Sequence, residues 1–129
     1  AKGLSAYYGA IEPIPGVKVN GDLTLGENIG DLTGLVIAHR AYRMSLGGKD
    51  APVMDGLTGD QRFFAGWAQA WRAKIRAQAL RNQVMADPHA PDQVRGNGPL
   101  PHVAAFYPAF DVKPTDKLYL APEARVTIW

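Results

Sequence analysis

Gly26-Glu27-Asn28-Ile29-Gly30-Asp31 opens the stretch on which the fold turns. Ile29, Leu32, Leu35, Val36 and Ala38 make a broad apolar face at helical spacing and predict a helix from about Glu27 to Leu46. Gly47-Gly48 ends it, because glycine accepts the left-handed conformation that follows a helix end. Gly30 and Gly34 inside the helix each cost about 1 kcal/mol relative to alanine. Carrying both predicts close packing along this stretch, as a metal site would demand. Glu27 and Asp31 lie one turn apart on one face of the helix start, where both gain from the helix dipole. Their spacing alone fits two readings. One is an ordinary acidic first turn. The other is a metal-ligating carboxylate followed by a second carboxylate that fixes a ligating histidine.

Outward from this helix, Tyr7 to Gly16 is rich in proline and glycine and reads as extended or loop. In Val17-Lys18-Val19-Asn20-Gly21-Asp22-Leu23-Thr24-Leu25, Asn-Gly separates two short alternating runs, which predicts a small β-hairpin. Downstream, Thr58-Gly59-Asp60-Gln61 is a capping-box sequence. Phe63, Trp67, Trp71 and Ile75 then recur every four residues, predicting one long helix that ends before Asp87-Pro88. Its basic residues read as a solvated face. A helical turn is expected from Pro91 and a short helix from Pro101 to about Tyr107. The segments 117–120 and 125–129 read as extended or turn. The fold class is mainly α with a small β-hairpin, in one domain spanning 1–129.

The bulk properties exclude several functions. The 129 residues are 47% hydrophobic and 20% charged, which is the balance of a globular domain. A net charge of +2 gives no reason to expect nucleic acid or an anionic membrane as partner. The absence of cysteine excludes disulfides and thiolate metal sites. No apolar run approaches the ~20 residues of a membrane span. The chain begins without methionine or a signal-peptide pattern, and is expected to be preceded by further polypeptide. Of the three histidines, His39 and His102 lack metal-ligand spacing to each other or to His89.

The segment Gly26 to Asp31, with Thr24-Leu25 before it and Gly34-Leu35 after, resembles the one that carries the third zinc ligand in neprilysin and the endothelin-converting enzymes. The likeness continues in order along the chain. Arg40-Ala41-Tyr42 is similar to an Arg-Ala-Tyr in the same helix of that family, and Phe63 to Trp71 resembles its Phe-Phe…Ala-Gln…Trp segment. Asp87-Pro88-His89-Ala90-Pro91 with Arg95 resembles its Asp-x-His-x-Pro…Arg stretch, and Arg125-Val126-Thr127-Ile128-Trp129 its terminus. The cysteines of vertebrate members are missing, so Asp111 to Trp129 resembles the bacterial branch.

What this resemblance implies is the C-terminal part of a zincin-type (gluzincin) metallopeptidase catalytic domain. Glu27 is then the zinc ligand, and Asp31 holds one zinc histidine by a hydrogen bond. His89 donates to the oxyanion of the tetrahedral intermediate, and Arg95 binds the substrate carbonyl beyond the scissile bond. Ala70 and Trp71 line the pocket for the residue after the cut, favouring cleavage of oligopeptides on the amino side of hydrophobic residues. One Zn2+ is expected per full-length enzyme, exported to the periplasm or outside the cell. The H-E-x-x-H motif that supplies two histidines and the general base is not in this sequence. The isolated chain is therefore expected to be inactive and zinc-free, with the upstream part of the same polypeptide as its partner. An uncovered apolar face is expected to drive artificial dimers. The alternative is a non-catalytic helical interaction module descended from such a peptidase.

Overall fold

The computed structural model describes residues 1–128, and Trp129 lies outside the described residues. The helices are α1 (Lys2–Gly9), α2 (Leu25–Ser45), α3 (Gly59–Ala70), α4 (Ala77–Ala86), α5 (Asp92–Asn97) and α6 (Phe106–Phe110). Short 3-10 turns occupy Leu100–His102 and Pro122–Ala124. The mainly helical expectation holds. The hairpin does not: the β-type pairing among the described residues is two isolated bridges, Ile14 with Val17 and Met54 with Leu57.

Asn20-Gly21 serves a different purpose. The Asn20 side chain accepts the Leu23 N–H at 3.0 Å, and its carbonyl accepts the Thr24 N–H at 3.0 Å and the Thr24 hydroxyl at 3.0 Å. These bonds turn the chain directly into α2, a local solution that asparagine side chains favour. Gly21 is required by proximity, since a Cβ there would stand 2.0 Å from the Ser5 carbonyl oxygen. That contact comes from α1, which occupies part of a stretch expected to be loop. Leu4 and Tyr8, one turn apart on α1, are fully buried.

The long α2 runs one to two residues from its expected bounds. Gly47 and Gly48 follow with φ of +59° and +81°, the left-handed stop that glycine permits. Its internal glycines are not tightly packed in this chain: a Cβ at Gly30 or Gly34 would meet nothing within 4 Å. Both lie on the face turned away from the core.

The single long helix expected after Thr58 is two. Its start is as anticipated, with the Gln61 N–H donating to the Thr58 hydroxyl at 3.2 Å and the Thr58 N–H to the Gln61 side chain at 2.9 Å. Gln61 also donates to the Ala109 carbonyl at 2.9 Å, fixing α3 against α6. The helix stops at Trp71, whose Cβ lies 3.2 Å from the position a Gly96 Cβ would take. Packing against α5 thus overrides the period of four that continues in the sequence to Ile75. The short helix expected from Pro101 is likewise divided, by extended backbone at Val103, into a 3-10 turn and α6.

One core joins these pieces. Leu4, Tyr8, Val19, Leu32, Leu35, Phe64, Ala90, Val94, Leu100, Val103 and Phe106 form a single buried cluster. Each large side chain in it is worth about 1.5–3 kcal/mol of burial. Phe64 is central, stacked on the His39 ring at 5.4 Å and edge-on to Phe106 at 5.7 Å. The first turns of α2 are thereby set beside the loop before α5.

Candidate functional site

The start of α2 is anchored from within. Asn28 is fully buried and its amide donates to the Thr24 hydroxyl at 2.9 Å, which in turn donates to Asn20. Helical spacing then sends Glu27 and Asp31 toward α5 from successive turns. Asp31 is 8% exposed, while the Glu27 side chain is 44% exposed.

Asp31 and Arg95 form the fixed part of the site. Arg95 Nε and Nη2 each donate to one Asp31 oxygen at 2.7 Å, the two parallel bonds that a guanidinium and a carboxylate make best. The guanidinium lies over the Trp71 indole, 4.1 Å from its centroid. The hydrogen bonds to Asp31 raise the Arg95 pKa further, so its charge is permanent. Three of its five N–H donors are not used by Asp31. Nη2 also stands 3.7 Å from Glu27 Oε2.

Glu27 and His89 form the open part. His89 Nε2 is 3.2 Å from Glu27 Oε2, and both side chains are 44% exposed. The other ring nitrogen, Nδ1, is 2.8 Å from Asp87 Oδ1, which also accepts the His89 backbone N–H at 2.8 Å. These two bonds, the backbone one first, hold the Asp87 carboxyl below its usual range. With Nδ1 donating to Asp87, Nε2 donates toward Glu27 only as the imidazolium.

The structure therefore brings together Glu27, Asp31, His89, Arg95 and Trp71, drawn from three separate parts of the chain. Ala70 is exposed at the end of α3, beside Trp71. Asp31, expected to hold a metal-bound histidine, has Arg95 on both oxygens, and each oxygen keeps a second lone pair for such a bond. Sequence reasoning gave no role to Asp87. Its signal was present, because aspartate two residues before an N–H is the pattern of an Asx turn. Trp71 as the bed of Arg95 had no local signal.

A metal ion beside His89 Nε2 would find the Glu27 carboxylate, while Asp87 is engaged on the other ring nitrogen. Among the described residues no three His, Cys, Asp or Glu side chains are close enough to share an ion. The donor set fits zinc as a contribution to a site, since zinc takes carboxylate oxygen but needs three protein ligands or more. A hollow of about 500 Å³ lies elsewhere, between the second half of α2 and residues 102–105. At the candidate site Glu27 and His89 face solvent, each side chain 44% exposed.

A carboxylate and an imidazole facing solvent, backed by a clamped guanidinium, can bind and polarise a carbonyl group. The chain belongs to peptidase family M13, whose model matches residues 1–126. A neutral endopeptidase of Lactobacillus helveticus is 41% identical over 112 residues, covering 87% of this chain and 16% of that protein. A neutral endopeptidase of Lactococcus lactis subsp. lactis is 37% identical over 128 residues, covering 99% of this chain and 19% of that protein. The crystal structure of Mycobacterium tuberculosis zinc metalloprotease Zmp1 in complex with an inhibitor is 51% identical and superposes with a TM-score of 0.96, over 99% of this chain and 20% of that one. The chain thus spans about a fifth or less of the length of these relatives.

Proposed function

We propose that this chain is the C-terminal part of the catalytic domain of an exported zinc metalloendopeptidase that hydrolyses oligopeptides. The observation that carries the reading is the convergence of Glu27, His89, Asp31 and Arg95 at one solvent-open place in a chain of family M13. Glu27 offers the carboxylate oxygen for the metal. Zinc, when bound, polarises a carbonyl and lowers the pKa of water.

The remaining roles follow from the polar geometry. His89, held by Asp87 with Nε2 outward, donates a hydrogen bond to the oxyanion that develops on the substrate carbonyl. A donor aimed at charge that peaks in the transition state raises turnover more than affinity. Arg95, immobilised by Asp31 and Trp71, presents its free N–H groups to a peptide carbonyl and fixes the register of the substrate. Asp31 keeps lone pairs free for a metal-bound histidine. Trp71 and Ala70 bound the pocket for a hydrophobic residue after the cut.

The test uses the full-length parent enzyme. Glu27→Ala is expected to abolish both zinc retention and peptide cleavage. His89→Phe is expected to leave zinc in place and lower kcat by ~100-fold or more, the usual loss for one oxyanion donor. Unchanged turnover in His89→Phe would overturn the assignment. For the 129-residue chain alone, calorimetry with zinc is expected to show no tight stoichiometric site.

A further inference from the structure

His102 belongs to no part of this site, yet it is the most buried of the three histidines. It is 6% exposed, sits at the end of the 3-10 turn, and meets the Tyr7 ring edge-on at 4.5 Å. Its Nδ1 accepts the backbone N–H of Val126 at 3.1 Å. That bond settles the tautomer, because a nitrogen that accepts carries no proton. Burial also pushes the ring's pKa down to about 4, so at neutral pH the ring is uncharged. The single ring proton is then on Nε2. This N–H is buried and has no acceptor in the protein.

A second orphan lies close by. The Thr33 hydroxyl on α2 is also buried without a partner. It does not bond back to its own helix, as helical threonine hydroxyls commonly do. Both residues line one small recess of about 40 Å³, together with Leu32, Val36, Val126, Thr127 and Ile128. Truly dry cavities are apolar, whereas a chamber with polar groups and room for a water (~30 Å³ in the liquid) takes one. A buried N–H and a buried hydroxyl left unmet would otherwise each lose the hydrogen bond they make to water in the unfolded chain.

We propose that this recess is the binding site of one structural water, which accepts from His102 Nε2–H and bonds the Thr33 hydroxyl. His102 then acts as a clasp with two hands. Nδ1 holds the C-terminal segment through Val126, and Nε2 holds α2 through the water. The segment 125–128 is tied to the core by this polar relay as well as by the side chains of Val126 and Ile128, which pack against the core cluster.

NMR on the isotopically labelled 129-residue chain tests this. Long-range proton–nitrogen correlation at pH 7 is expected to show the Nε2–H tautomer for His102. Water-selective cross-relaxation is expected to give a long-lived water contact at His102 and Thr33. Thr33→Val, equal in shape, should erase that contact and speed Val126 amide exchange roughly fivefold to tenfold, the worth of one neutral hydrogen bond. Thr33→Ser should preserve both. An Nδ1–H tautomer, a recess without a long-lived water in the unaltered chain, or a water contact that survives Thr33→Val would each overturn the proposal.

Discussion

Asp31 shows how much one carboxylate can be asked to do. Its two oxygens are both engaged by Arg95, and neither partner is more than 16% exposed. Asp31→Asn keeps the shape but leaves the guanidinium without its counter-charge, and is expected to destabilise the chain by about 2 kcal/mol in urea unfolding. His102 makes a separate prediction about pH. Its folded pKa of about 4 lies below the ordinary value of 6.5, so between those limits the unfolded chain binds the extra proton. Stability from this residue is complete above pH 6.5, falls as pH drops through that window, and is gone below about pH 4. The urea midpoint should follow that slope, and His102→Asn, which keeps an acceptor without titrating, should flatten it. Much of the candidate site was legible as motif residues. The pairing of Asp31 with Arg95 was not, because it joins positions 64 apart in sequence. Which lone pair meets which donor is decided by packing, and packing leaves no local pattern.

At the level of elements, local chemistry was read correctly where it acts within a few residues. The Thr58–Gln61 capping box formed as its spacing required, and Thr58→Ala should cost about 1 kcal/mol, measured by thermal or urea unfolding. Asn20-Gly21 predicts a hairpin that does not form, because the same dipeptide serves both a hairpin and a capped turn against a neighbour. The deciding contact is with Ser5, and the turn signal carries no record of it. Gly21→Ala should therefore destabilise by about 1–3 kcal/mol through overpacking, although the Gly21 backbone is not in the left-handed region. Helix α3 stops short for the same kind of reason: Trp71 is claimed by α5 and Arg95, so the apolar period beyond it has no core to face. Ile75, which continues that period, is 38% exposed.

Across the whole molecule, the outer side of α2 is anomalous. Gly26, Gly30, Gly34, Ile37, Ala38, Ala41 and Met44 are all exposed, with Ile37 at 55% and Met44 at 74%. A solvent-facing helix surface is ordinarily polar. The isolated chain is expected to self-associate through it, and Ile37→Lys with Met44→Lys should shift the sedimentation profile toward monomer. Identical profiles for both chains would place the contact elsewhere. The clamp between Asp31 and Arg95 bears on timing as well as shape. It closes a loop of 64 residues, whose entropic cost grows as the logarithm of length and amounts to ~4 kcal/mol. Contacts that close such loops form after the local helices that shorten them. Trp71, lying against the guanidinium, is then a resident optical probe of that closure. Its emission should settle only when the first and last thirds of the chain have met.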